Sequence, residues 1–372
     1  MTLTPCAPLA QGNLQIKIKL NIMLNEFKNK AILVTGGTGS IGSEIVKQLL
    51  QYEPRTVRVY SRDETKQFEL LNSLDNDRRV NLLIGDIRDK DRLNLAMENI
   101  QIVFHAAALK HVLSCEKNPF EAVKTNVYGT QNVIDCALAN KVEKVISVST
   151  DKAADPNNVL GCTKSLAEKI ILASHFYKGS KNINLSLVRF GNVLFSRGSV
   201  IPLFIEQIKK GGPITITDER MARFVMSTKD AVKLIFKATS LMSQNEIFIL
   251  KMPAVRLIDL AQALINIYAP KFGVDKGKID FKIIGKKKGE RINEKLLGSD
   301  EAECVWESDD MFVVTPFSND GISENIKTAY PNIKKVELKE YGTIEQNKLS
   351  VQQIEDLLGK DGLPEFNLNF YI

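Results

Sequence analysis

Five apolar or β-branched residues, Ala31-Ile32-Leu33-Val34-Thr35, run without a break into Gly36-Gly37-Thr38-Gly39-Ser40-Ile41-Gly42 and then into an apolar-periodic stretch. Gly37, Gly39 and Gly42 satisfy G-x-G-x-x-G, and Gly36 adds a further tight-turn residue. Glycine is needed here because the backbone must turn sharply, let a pyrophosphate approach, and pack a helix closely on a strand. The anion then rests on free N–H groups at the helix N-terminus. The motif alone says little, but a strand before it and a helix after it give it meaning. The segment predicts a dinucleotide cradle made of Gly36, Thr38, Gly39, Ser40, Ile41 and Gly42.

The following residues keep the matching rhythm. Strands are predicted at 31–35, 56–61, 80–84, 102–105, 144–149 and 185–190, and helices at 40–51, 63–74, 89–99, 119–140 and 158–177. Such alternation predicts an α/β fold, a Rossmann-type doubly wound parallel sheet with helices on both faces. After Phe190 the rhythm breaks into turn-rich stretches, Gly211-Gly212-Pro213 and 285–289 among them. This predicts a smaller mixed α/β substrate-binding lobe at the carboxyl ends of the strands, where open α/β sheets bind ligands. The expected division is an N-terminal arm at 1–25, a dinucleotide-binding domain at 26–190 with core contributions to about 250, a lobe at 191–345 and a tail at 346–372. Residues 1–22 read as a loose arm or an upstream start, with no signal peptide.

Composition bounds the partners. The 372 residues carry 50 Lys+Arg against 44 Asp+Glu, a formal charge of +6. That excess is mild and has no long basic tract, so it does not rule in a nucleic-acid binder, and anionic small molecules explain it as well. With the motifs below, no nucleic-acid partner is expected. No apolar run approaches the ~18 residues of a membrane span. Five scattered cysteines without metal spacing read as free thiols, and the chain as cytoplasmic.

The end of the second strand decides the cofactor. An acidic residue there would hold the ribose 2′-hydroxyl of NAD. The run is Tyr60-Ser61-Arg62-Asp63 with Lys66 one turn on. Ser61, Arg62 and Lys66 could surround a 2′-phosphate, which favours NADP over NAD, while Asp63 can cap the next helix. Asp86 and Ile87, after the third strand, are placed for adenine. Ala106 and Ala107, after the fourth, keep side chains small where a dinucleotide lies on the backbone. Lys110 and His111 follow at the same edge, within reach of cofactor or sugar. His105 reads as structural and His175 as a solvated helix residue, so no metal site is expected.

The fifth strand delivers Ser149-Thr150-Asp151-Lys152, followed by Leu160 and Lys164. With the glycine run, Ser61-Arg62-Asp63, 85–89, 105–112 (H-A-A-A-L-K-H-V), 118–129, 189–200, Thr217-Asp218, Arg223-Phe224 and Gly289-Glu290, these motifs resemble the extended short-chain dehydrogenases/reductases. Within that group they resemble the soluble UDP-N-acetylglucosamine 4,6-dehydratases of polysaccharide biosynthesis, over roughly residues 27–358. The resemblance implies loss of water from a UDP-sugar by internal hydride transfer through bound NADP. It gives catalytic roles to Thr150, Asp151, Lys152 and Lys164, with Lys152 as base at C5 and Asp151 as acid at the departing C6 hydroxyl. It adds Asn126 and Lys164 to the cofactor contacts.

Most short-chain dehydrogenases have tyrosine four residues before the lysine, as the base at the hydroxyl being oxidised. Here the position holds Leu160, which cannot titrate. Proton transfer would then fall to the Asp-Lys pair, with Thr150 and a neighbouring group or water handling the O4 proton. Burial and nearby cations are expected to lower the pKa of Lys152. In the second half, the resemblance assigns substrate contacts to Asn192, Val193, Arg197, Arg223, Lys287 and Glu290, beside Lys110 and His111. Phe195 stands where relatives commonly have glycine, and Lys286-Lys287-Lys288-Gly289-Glu290-Arg291 where they have Arg-Pro-Gly-Glu-Lys. A lysine triplet is by itself an ordinary solvated face. Three functions remain open: the dehydratase, a nucleotide-sugar 4-epimerase or ketoreductase of the same fold, and a catalytically silent NADP-binding paralogue. The resemblance also implies a homo-oligomer, from dimer to hexamer.

Overall fold

The computed structural model describes residues 25–243, 245–316, 321–337 and 340–359. The predicted N-terminal arm therefore lies almost wholly outside the described residues, as does 360–372. The first half forms strands β1 (Ala31–Thr35), β2 (Thr56–Ser61), β3 (Val80–Ile84), β4 (Ile102–His105), β5 (Lys144–Val148) and β6 (Asn184–Arg189). They pair in parallel in the order β3-β2-β1-β4-β5-β6. The order reverses between β1 and β4, which is where ligands of doubly wound sheets bind. Register fixes that edge: Thr35 stands beside His105, and His105 beside Ser147. β1 and β4 are buried along their whole length, as strands covered on both faces must be.

The sheet does not stop at 250. Ile247–Leu250 adds in parallel to β6, and Met311–Val314, Val305–Glu307 and Lys334–Val336 extend it antiparallel to ten strands. The smaller lobe has its own core, in which Phe204, Ile205, Ile214, Leu260 and Leu264 are buried. Residues expected to trail as a tail close this lobe. The amphipathic helix Val351–Gly359 buries Ile354 and Leu358 against the helix Leu257–Tyr268, and Asn266 Nδ2 donates to Glu355 Oε1 at 2.7 Å. Each buried aliphatic contributes about 1.5–3 kcal/mol, enough to hold one short helix in place.

The long helix predicted at 119–140 is interrupted. Pro119–Ala122 passes into a π-helical stretch, Val123–Tyr128, before Gly129–Ala139 resumes α-helix. The wide turn carries Asn126, whose buried amide accepts from Leu109 N at 2.8 Å and donates to Leu109 O and Thr163 Oγ1. A π-turn at such a place is a feature commonly found beside functional sites.

Candidate active site

At the nucleotide end, Gly36 has φ +66°, and a Cβ there would lie 2.8 Å from Ala107 Cα. A Cβ on Gly42 would lie 2.2 Å from Gly36 O. Only glycine lets the turn lie on the backbone after β4 and the helix Ser40–Leu49 close on the turn. Asp63, Asp89, Asn158 and Ser227 each cap their helices through the side chain, but Gly39 gives the helix Ser40–Leu49 no such cap. Its first-turn amides suit an anion, so this cradle fits a dinucleotide pyrophosphate.

The other expected cofactor residues divide. Arg62 is exposed, 3.7 Å from Asp86, which is also held by Arg88. Ile87 is buried against Gly129, and Ala106 and Ala107 are half-buried beside the glycine turn. Ser61 is buried and its hydroxyl accepts from Gln67 Nε2 at 3.0 Å. Asp63 accepts from Lys66 N while its second oxygen pairs with Lys66 Nζ at 2.6 Å. Asn126 has its amide engaged with Leu109 and Thr163. Protein partners thus hold Ser61, Lys66 and Asn126 in place.

The loop after β6 lies over this cradle. Arg197 N donates to Ser40 Oγ at 3.1 Å, the Arg197 guanidinium donates to Thr38 O, and Lys110 Nζ donates to Arg197 O at 2.5 Å. His111 packs against Gly198, where a Cβ would come within 2.5 Å of its ring. Partial burial and then Arg197 lower the pKa of Lys110, and burial and then Lys110 lower that of His111. Phe195 adopts φ +55°, keeping the left-handed turn without the glycine, at a cost of about 1 kcal/mol. Asn192 and Val193 form a short strand paired with Val225 and Met226.

At the chemical end, Thr150 Oγ1 and Lys152 Nζ both donate to Asp151 Oδ1 at 2.9 Å. The other oxygen of this buried carboxylate, Oδ2, has no hydrogen-bond partner among the described residues. Lys152 Nζ is also 3.4 Å from Glu294 Oε1, which is 3.7 Å from Arg223 Nε. Burial pulls the pKa of Lys152 down, but Asp151 and then Glu294 outweigh it and the net direction is up. This reverses the expected fall. Burial is the largest influence on Glu294 and raises its pKa.

Gly161 opens the helix Val159–Tyr177 one turn above the pair, and its Cβ would lie 2.5 Å from Lys152 O. Asn158 caps that helix through Gly161 N and donates to Gly289 O, while Glu116 accepts from Val159 N. Leu160 is buried with Cys115 and Ala122 in a small apolar cluster. Lys164 Nζ donates to Val148 O at 2.7 Å, and burial lowers its pKa to about 8 against the opposing pull of Glu168. His105 is fixed between Thr35 Oγ1 at 2.8 Å and Thr130 Oγ1 at 3.1 Å, deep in the sheet.

Three supporting residues escaped the sequence reading: Glu294, Glu168 and Glu301. The last two belong to a buried network behind the β5 end: Ser149 donates to Glu168, Arg189 pairs with Glu168 at 2.6 Å and Glu301 at 2.9 Å, and Arg189 Nη1 donates to Leu296 O. Glu168, four residues after Lys164 and between the apolar Ala167 and Ile171, was the one available signal. Nothing local marks Glu294, which meets Lys152 only through the tertiary fold. The expected substrate residues of the lobe are placed unevenly. Arg223 is buried, donating to the carbonyls of Ala222, Ile292 and Arg291 beside Glu294. Lys287 is exposed, with its N–H donating to Glu290 Oε2.

Residues 32–316 match the family described as "Polysaccharide biosynthesis protein". An uncharacterised membrane protein of Methanocaldococcus jannaschii is 55% identical over 301 residues, 81% of this chain and 90% of that one. The UDP-N-acetylglucosamine 4,6-dehydratase (inverting) of Campylobacter jejuni is 43% identical over 292 residues, 78% and 84% of the two chains. A UDP-glucose 4-epimerase of Rickettsia rickettsii is 39% identical over 338 residues, 89% and 96%. The solved structure of Pen from Bacillus thuringiensis superposes with a TM-score of 0.82 at 43% identity, covering 89% of this chain and 97% of that one. Among the described residues no helix is long and apolar enough to cross a membrane.

Proposed function

Because this chain belongs to the polysaccharide biosynthesis protein family, with its sheet and its glycine turn in place, we propose that it is a nucleotide-sugar 4,6-dehydratase acting on UDP-N-acetylglucosamine. The observation that carries this reading is the Thr150–Asp151–Lys152 chain, with one Asp151 oxygen buried and unpartnered. NADP is the proposed cofactor. Asp63, the acid that would suit NAD, is turned into a helix cap and an ion pair with Lys66, which leaves Arg62 exposed at the strand end. Held by the glycine turn at 36–42 and by Lys164, the nicotinamide would supply a hydride acceptor for C4 and a hydride donor for C6.

The residues of the chain manage the protons. Thr150 takes the O4 proton and passes it along its 2.9 Å hydrogen bond to Asp151, doing the work for which Leu160 has no group. Asp151 then gives that proton to the departing C6 oxygen. Lys152 removes the C5 proton, which the C4 ketone acidifies. Lys164 lies one turn beyond Leu160 and holds the nicotinamide ribose. Arg197 and Lys110 close the lobe over the glycine turn and supply positive charge for the sugar's diphosphate.

The name carried by the Rickettsia relative offers the second reading. Both reactions begin with oxidation at C4, for which Thr150 and Asp151 would serve in the place of Leu160, whereas Lys152 beside Asp151 supplies the additional base at C5 that elimination alone needs. Incubation with UDP-N-acetylglucosamine, followed by NMR, separates the two. A 4-keto-6-deoxy sugar is the expected product, and a C4 epimer retaining its C6 hydroxyl would contradict it. We also propose a homo-oligomer, whose contact would cover exposed apolar side chains such as Phe120, Tyr128, Leu166 and Phe176. Sedimentation of the intact chain tests it, and a monomer at micromolar concentration is the contrary result.

A further inference from the structure

Lys152 stands between two buried carboxylates, Asp151 at 2.9 Å and Glu294 at 3.4 Å, with Arg223 the remaining charge facing the group. The side chains of Asp151, Glu294 and Arg223 are all at least nine-tenths buried, so protons moving among them stay within the cluster. A lysine so placed rests as an ammonium and cannot act as a base until its proton has somewhere to go. Asp151 is not available as that acceptor during elimination, because it must then carry the proton destined for the C6 oxygen. Glu294 is the other carboxylate in reach, fixed by Thr343, which donates to Glu294 O at 2.9 Å and accepts from Glu294 N at 3.2 Å.

We propose that Glu294 is the proton-holding partner of Lys152, taking the resting ammonium proton after C4 oxidation so that the amine is free when C5 must be deprotonated. This rests on the reading of Lys152 as base at C5. The proton count closes. At rest the cluster holds Asp151 and Glu294 as carboxylates and Lys152 as ammonium. The O4 proton reaches Asp151, and the Lys152 proton moves to Glu294. The C5–H bond then breaks, its electron pair forms the C5–C6 double bond, and the proton goes to Lys152. The C6–O6 bond breaks as Asp151 gives its proton to O6, releasing water. Glu294 returns its proton once Lys152 has passed its own back to C5. Burial raises the pKa of Glu294, which suits a carboxyl that must accept a proton near neutrality. Glu294 acts through Lys152 and is a positioning residue, the role a third group plays behind a general base.

The test is Glu294→Gln in the intact enzyme with cofactor and UDP-N-acetylglucosamine. C4 oxidation should proceed, so the absorbance of reduced nicotinamide should build up, while elimination slows on the order of 10²-fold. The slowed step should recover with rising pH, because Lys152 must then lose its proton to solvent; the wild-type step should be flat near neutrality. Glu294→Asp retains an acceptor and should regain most of the rate without the pH slope. It also carries the test should the Gln variant not fold: whatever few-fold slowing remains should fall on elimination alone, with oxidation unchanged. Wild-type rates in Glu294→Gln, or oxidation and elimination slowed alike without a pH slope in either variant, would overturn the proposal. A wild-type enzyme that makes no 4-keto-6-deoxy product would instead sink the dehydratase reading itself.

Discussion

Asp151 and Lys152 are neighbours in sequence whose side chains turn back on each other, Nζ to Oδ1 at 2.9 Å, leaving Asp151 Oδ2 buried and without a hydrogen-bond partner among the described residues. A surface ion pair would solvate both oxygens; this one keeps one in reserve. Asp151→Asn keeps the shape and removes the acid, and should lower kcat by about 10²–10⁴-fold with little change in cofactor affinity. Steady-state rates and cofactor titration check this, and a fall in affinity without a fall in kcat would contradict it.

Gly161 lets the helix Val159–Tyr177 touch the Lys152 carbonyl, with a hypothetical Cβ at 2.5 Å. Gly161→Ala has no flexible side-chain end to push aside, so the Asp151–Ala153 turn must shift. Misplacement of about 1 Å costs on the order of 10²-fold in rate. The variant should therefore lose kcat while binding cofactor and melting almost normally.

Arg189 is 1% exposed and holds Glu168, Glu301 and the Leu296 carbonyl together, joining β6, the helix Val159–Tyr177 and the segment that carries Glu294. Arg189→Met leaves two carboxylates facing an apolar side chain. Breaking such a buried pair costs about 3–5 kcal/mol, to be read from urea unfolding. A loss under about 1 kcal/mol would show that the network carries no stability.

Burial, and then Lys164, lowers the pKa of His105 to about 3, so the folded state keeps the ring neutral. The unfolded ring titrates near 6.5 and binds the proton first as pH falls. Stability from this residue is therefore full above about 6.5 and is lost between 6.5 and 3, at about 1.4 kcal/mol per pH unit. His105→Asn should flatten the drop in melting temperature between neutral pH and pH 5 relative to wild type. Parallel curves for the two proteins would contradict this.

Much of the nucleotide half was legible because its signals are local. The glycine turn, the apolar strands and the capping residues Asp63, Asp89 and Asn158 each act within a few residues of themselves. The six predicted strands match the structure to within one residue. Where function depends on distant segments meeting, sequence reading loses its hold. Glu294 reaches Lys152 only because the Ala222–Met226 strand and the 291–297 segment fold against the β5 end. The rise in the Lys152 pKa owes most to its neighbour Asp151, and only the further push from Glu294 depends on that meeting. The apparent tail failed for a related reason: Ile354 and Leu358 find their partners nearly a hundred residues earlier.

Internal hydride transfer coupled to water loss is the central claim, and UDP-N-acetylglucosamine deuterated at C4 tests it most directly. Product NMR should show that deuterium in the C6 methyl group of a 4-keto-6-deoxy sugar. Deuterium still at C4, in a sugar that keeps its C6 hydroxyl and has inverted at C4, would contradict the account.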